Sequence, residues 1–148
     1  MYFNVKDIEQ FHSQKDFIDT VLVPLLPLDF SIEGSRQSSS AADYLMSLTA
    51  FLEKQFKGRV FLTPPFSYFH KNGIIDLEEI NTYLMESGFK HVLFITCDQQ
   101  WREKSSQFNV TWIPAIPLES MDQDVKQRLL QDQLNLVVPS LTKVWTSI

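Results

Sequence analysis

Four short runs of this chain are apolar almost from end to end, where a strand facing water on one side would alternate apolar with polar residues. They are TVLV at 20–23, RVFLT at 59–63, HVLFIT at 91–96 and NVTWI at 109–113. Runs this short, rich in β-branched and aromatic residues, read as strands covered on both faces. Such cover requires helices above and below, so the runs predict an α/β fold in three layers.

The helices are punctuated where that scheme needs them. Ser40, with Asp43 three residues on, opens a helix whose apolar face is Ala41, Leu45, Leu48, Leu52 and Phe56, and Gly58 closes it. Asp76 with Glu79 opens a second, which carries Leu77, Ile80 and Leu84 to Gly88 and leaves Phe89 to pack back on the last turn. Ser120 with Gln123 opens a third, faced by Met121, Val125 and Leu129. A shorter helix follows Asn4, with Val5, Ile8 and Phe11 covering its two turns to about residue 15. Beyond Gln131, the residues Leu134, Val137, Leu141, Val144 and Trp145 keep helical spacing around Pro139, which predicts a C-terminal helix broken or kinked there. The serine-rich stretch 31–40, which includes Gly34, reads as a surface loop.

Strand, helix, strand, helix, strand predicts right-handed βαβ units: a Rossmann-like, mostly parallel sheet of about four strands in a single domain over 1–148. The connection 97–108 is near the lower limit of a dozen or so residues for a parallel crossover, which leaves the direction of the fourth strand open. One pattern repeats. VPLLPLD at 23–29 returns ninety positions later as IPAIPLE at 113–119. Proline cannot donate to a sheet ladder, so each copy is expected to end its strand and start a stiff exit, with partner docking as the alternative role.

A net charge of −5 with no basic block removes the electrostatic attraction on which phosphate-backbone binding depends, so no nucleic-acid partner is expected. A single cysteine cannot close an internal disulfide, and residues 1–10 carry no signal-peptide pattern. The longest apolar run, 21–28, contains two prolines and falls short of the roughly 20 residues that span a bilayer. A soluble cytoplasmic protein without membrane insertion is the expectation.

Cys97 stands at the carboxyl end of the third run, where open α/β sheets hold their ligands. A nucleophilic thiol needs a basic or cationic neighbour, and the adjacent Asp98 works the other way, so a structural cysteine is favoured and no catalytic residue is assigned. If the second and third runs are neighbours, then Thr63, His70, Thr96, Cys97 and Asp98 converge on one rim, the candidate site for a small ligand. FLTPPFSYFHKNG at 61–73 offers a different surface, because a loop cannot bury every ring locally. Phe66, Tyr68 and Phe69, together with Trp101 from a polar segment, form the candidate partner surface; a satellite core over the sheet edge is the alternative. His12, His70 and His91 lack metal-ligand spacing, and Gly34, Gly58, Gly73 and Gly88 stand singly, without a dinucleotide fingerprint or phosphate loop. No metal and no cofactor are expected.

Four blocks, DTVLVPLLPLDF at 19–30, QFKGRVFLTPPFSYF at 55–69, GFKHVLFITCDQQW at 88–101 and WIPAIPLESMD at 112–122, together resemble a family of short proteins of unknown function from Bacillus-type, spore-forming Gram-positive bacteria. The likeness covers almost the whole chain, and its blocks mark the family without spelling a catalytic signature. It implies no activity and no active-site residues. The function expected is therefore that of a non-catalytic cytoplasmic protein-interaction or accessory module, with a small-molecule binder or enzyme at the Cys97 rim as the alternative.

Overall fold

The computed structural model describes residues 1–71 and 75–146, and Gly73 lies outside them. In chain order the elements are α1 (Val5–Ser13), β1 (Thr20–Leu28), α2 (Ser35–Gln55), β2 (Val60–Leu62), β3 (Phe66–Phe69), α3 (Leu77–Glu86), β4 (His91–Thr96), a 3₁₀ segment (Gln99–Ser106), β5 (Asn109–Trp112) and α4 (Gln123–Thr146). The strands form one parallel sheet in the order β2-β1-β4-β5, with β3 joining β1 beyond the end of β2.

Strand alternation sends Leu22, Leu93 and Ile95 to one face, where Leu45, Leu48, Leu134 and Leu141 of α2 and α4 cover them. Val21, Val23, Phe61, Val92 and Phe94 point to the other face, under Phe11 of α1 and Leu77 of α3. The runs of β1, β2 and β4 have no polar face because both of their sides are buried. The end of α4 is fastened to the sheet: Trp145 Nε1 donates to Thr20 Oγ1 at 2.7 Å, and the Arg59 guanidinium lies 3.9 Å over the indole. At the opposite terminus the Met1 α-ammonium sits 2.7 Å from Glu53 Oε1, both groups buried. Leu62 donates its N–H to the Met1 carbonyl and Tyr2 bridges to Leu62, so the first two residues line the outer edge of β2.

The helix caps at Asn4 and Asp76 are as the sequence indicates, each accepting from the N–H three residues on, and Gly88 takes the positive φ of +113° that ends α3. The fourth strand is parallel, and the 3₁₀ segment serves as its crossover.

Four expectations are corrected. First, β1 does not stop at its prolines but runs through both. Leu22 accepts from Thr63 N–H, so by ladder alternation Pro24 turns to that same side, facing the gap where Pro64 and Pro65 separate β2 from β3. Pro27 turns to the other side, past the end of β4, which pairs β1 only as far as Leu25. Neither missing N–H interrupts a ladder. Second, the aromatic segment after Pro65 is a strand, because it returns to the β1 edge and registers Leu25 to Leu28 against Phe66 to Phe69.

Third, most of the stretch 31–40 is helix, since α2 begins at Ser35. Ser31 Oγ accepts from Gly34 N–H, while Ser38 Oγ donates to the Pro27 carbonyl and accepts from Asp29 N–H. Tertiary bonds override the weak helix preference of serine. Fourth, the two segments expected on either side of Gln131 are one helix, α4, capped by Asp122 instead of Ser120 and unbroken at Pro139. Pro139 is exposed, and so is Asn135, whose carbonyl the missing N–H would have bonded; water can serve it instead.

Candidate functional site

The rim expected around Cys97 is divided by the sheet. β1 lies between β2 and β4, which separates Thr63 from Thr96. Thr96 is buried and its hydroxyl donates to the Leu25 carbonyl at 3.0 Å. Cys97 is half-buried where it packs against the core shared with α2 and α4, and this partial burial pushes its thiol up to about 12. Asp98 turns to the opposite side, accepting from Tyr68 Oη at 2.5 Å, and the same Oη accepts from Trp101 Nε1 at 2.7 Å. Burial and the Asp98 bond both raise the Tyr68 pKa. His70 is exposed beyond β3, with its N–H on the Leu28 carbonyl.

The residues set out as a partner surface divide as well. Tyr68 and Trp101 are buried against each other, ring centroids 5.9 Å apart. Phe66 shares the Tyr68 side of the sheet, and Phe69, 67% exposed, points to the other.

At the carboxyl end of β1, where doubly wound folds seat phosphates at a helix N-terminus, the chain supplies its own anion. The Asp29 carboxylate lies against Gly34 at the start of α2 and accepts from Ser31 N–H at 2.9 Å. The Ser31 hydroxyl, and then that backbone bond, hold its pKa below the usual carboxylate value, and its charge opposes a phosphate in the same place. Among the described residues no group of three His, Cys, Asp or Glu side chains could hold a metal ion, and no helix is long and apolar enough to cross a membrane.

A groove of about 680 Å³ lies on the face of the sheet, between α1 and α3. Its floor is a ring cluster: Phe11 stacks on Phe89 at 4.9 Å, and Phe61 meets them edge-on at 5.5 and 5.8 Å. Ile8 and His12 line it from α1, and Ile80, Tyr83 and Leu84 from α3. The step of Thr63, Pro64 and Pro65 between β2 and β3 also lines it, with Phe66 beside the step. Two consecutive prolines force that step, because neither can donate to the ladder that β2 would otherwise continue. The Thr63 hydroxyl is buried there and has no hydrogen-bond partner among the described residues. Phe3 and Tyr83 stay 66% and 70% exposed at an apolar trench that His12 and Glu79 also line.

Sequence reasoning reached Phe66 and Thr63 but not Phe3, His12 or Tyr83. The available signal was Tyr83, a large ring next to the Leu77, Ile80 and Leu84 stripe and outside the set needed for the core. Phe3, one residue before the α1 cap, was the other.

A family profile described as "Protein of unknown function (DUF2487)" matches residues 9–145. The chain belongs to this family. As a DUF2487 protein it is similar over its full length to "Uncharacterized protein YpiF" of Bacillus subtilis (strain 168), at 26% identity over 150 aligned positions that take in 100% of both chains. No solved structure matches it. The family is one of unknown function, as the four sequence blocks implied, and it brings no assigned residues to the groove.

Proposed function

We propose that this DUF2487 protein is a non-catalytic cytoplasmic interaction module, a single domain that receives an apolar part of a partner protein in the groove between α1 and α3. The observation that carries this reading is the groove itself: about 680 Å³ of apolar trench with a Phe11, Phe61 and Phe89 floor and exposed rings of Phe3 and Tyr83 beside it. Large apolar side chains gathered around a concavity mark a binding surface more often than isolated ones do. A thiol held neutral by burial and an Asp29 carboxylate standing where a phosphate would sit support a role without covalent or nucleotide chemistry.

The test is a groove variant. Tyr83→Arg places a charge at an exposed position over the trench, so native mass spectrometry of gently purified protein should show a co-purifying protein lost from the variant while the thermal midpoint moves by no more than a degree or two. Identical co-purifying species in both proteins would overturn the assignment of the groove.

A further inference from the structure

We infer that the occupant of the groove is an amphipathic α-helix of the partner, lying with its apolar stripe on the ring floor and a lysine or arginine against the first turn of α3. This deepens the interaction reading above and rests on it. The first argument is coverage. The face under α2 and α4 is roofed by helices of 21 and 24 residues, whereas the face with the groove carries helices of only 9 and 10. Among the described residues the trench is the part of that layer left open by α1, α3 and the 3₁₀ segment whose Trp101 packs there, and a helix is the element that packs on a sheet face in a three-layer fold.

The second argument bears on an added strand at β2. The outer edge of β2 is already lined by Met1 and Tyr2, with Leu62 N–H bonded to the Met1 carbonyl at 2.7 Å. An extended peptide finds no backbone ladder to join there, while the ring floor asks only for side chains at i, i+3, i+4 and i+7. The third argument is charge. Glu79 is the acidic residue lining the groove, and Asp76 and Glu78 flank it at the start of α3. At the other end the Lys15 ammonium lies 5.6 Å from the centroid of the Phe11 floor ring and His12 lines the wall, while the chain as a whole carries −5. A cationic residue at the α3 end of the incoming helix complements that cluster.

The experiment titrates the full chain with three synthetic peptides of about four turns' length and maps the amide shifts. One is a stapled helix with leucines at i, i+3, i+4 and i+7 and two lysines at one end. The second replaces the lysines with glutamates, and the third holds the lysine composition in a proline-broken extended form. The lysine helix should bind best and shift Ile8, Ile80, Tyr83 and Leu84. Tyr83→Arg should abolish its binding and Glu79→Gln should weaken it by about two- to fivefold, as expected for an exposed ion pair. Equal binding of the glutamate helix, or shifts outside the groove, would overturn the inference. Preference for the extended peptide would overturn the helix and leave the interaction reading standing. If no peptide binds and the groove instead takes an apolar dye or a second copy of this chain, both fall.

Discussion

Burial sets the chemistry of Cys97. Its thiol rises from an ordinary 9.0 to about 12 because the side chain is desolvated against the α2 and α4 layer, and the neighbouring Tyr44 is raised to about 12 by burial first and by Cys97 second. The thiolate is the reacting form, so iodoacetamide should label the native chain at pH 8 about a thousandfold more slowly than the urea-unfolded chain. A folded pKa above the unfolded one means that this contribution to stability is complete below the ordinary thiol value and is lost as pH rises toward about 12. Fast native labelling at pH 8 would show that the side chain is exposed. The sequence pointed to an inert cysteine through the charge of Asp98. In the structure Asp98 turns away to Tyr68, and burial alone raises the thiol. A strand's alternation can be read along the chain, but which layer covers which face cannot.

Elements were legible where their signals are local. The Asn4 and Asp76 caps, the Gly88 stop and the apolar stripes of α2 and α3 all depend on residues within a few positions of one another. The start of α2 depends instead on Ser38 bonding the carbonyl of Pro27 and the N–H of Asp29, and the length of β1 depends on what lies opposite each proline. Those partners are unknown until the strands are ordered. α4 leads to a prediction at this scale. Pro139 is exposed within an uninterrupted helix, so Pro139→Ala restores an N–H to the Asn135 carbonyl and should raise unfolding stability by about 1–2 kcal/mol in urea. A loss of stability would mean that a bend at Pro139 is needed to seat Trp145 on Thr20.

The three-layer α/β plan was legible in four doubly covered runs, and the strand order was not. The expected rim required β2 beside β4, and the central β1 keeps them apart. The groove was invisible for a related reason: it lies between two helices whose separation no local pattern encodes. A buried ion pair also joins the N-terminus to α2 and β2, with Glu53 of α2 holding the Met1 α-ammonium beside the Val60 carbonyl. Glu53→Gln leaves that ammonium buried without its counter-charge and should cost about 3–5 kcal/mol. A loss below about 1 kcal/mol would place the pair with weak surface ion pairs. Tyr83→Arg, in contrast, should leave the same unfolding curve nearly unmoved.

The two prolines of β1 have a consequence before the native state exists. TVLVPLLPL is nine residues long, uncharged and destined for the centre of the sheet. Without Pro24 and Pro27 it would have the features of a segment that stacks with its own kind, being β-prone, apolar and neutral. In the finished sheet each proline faces a gap, so it costs the native ladder nothing. In a stack of unfolded chains the same residues would interrupt the hydrogen bonding from one copy to the next. The sequence thereby guards its most aggregation-prone strand during synthesis with residues that the completed fold tolerates at no loss.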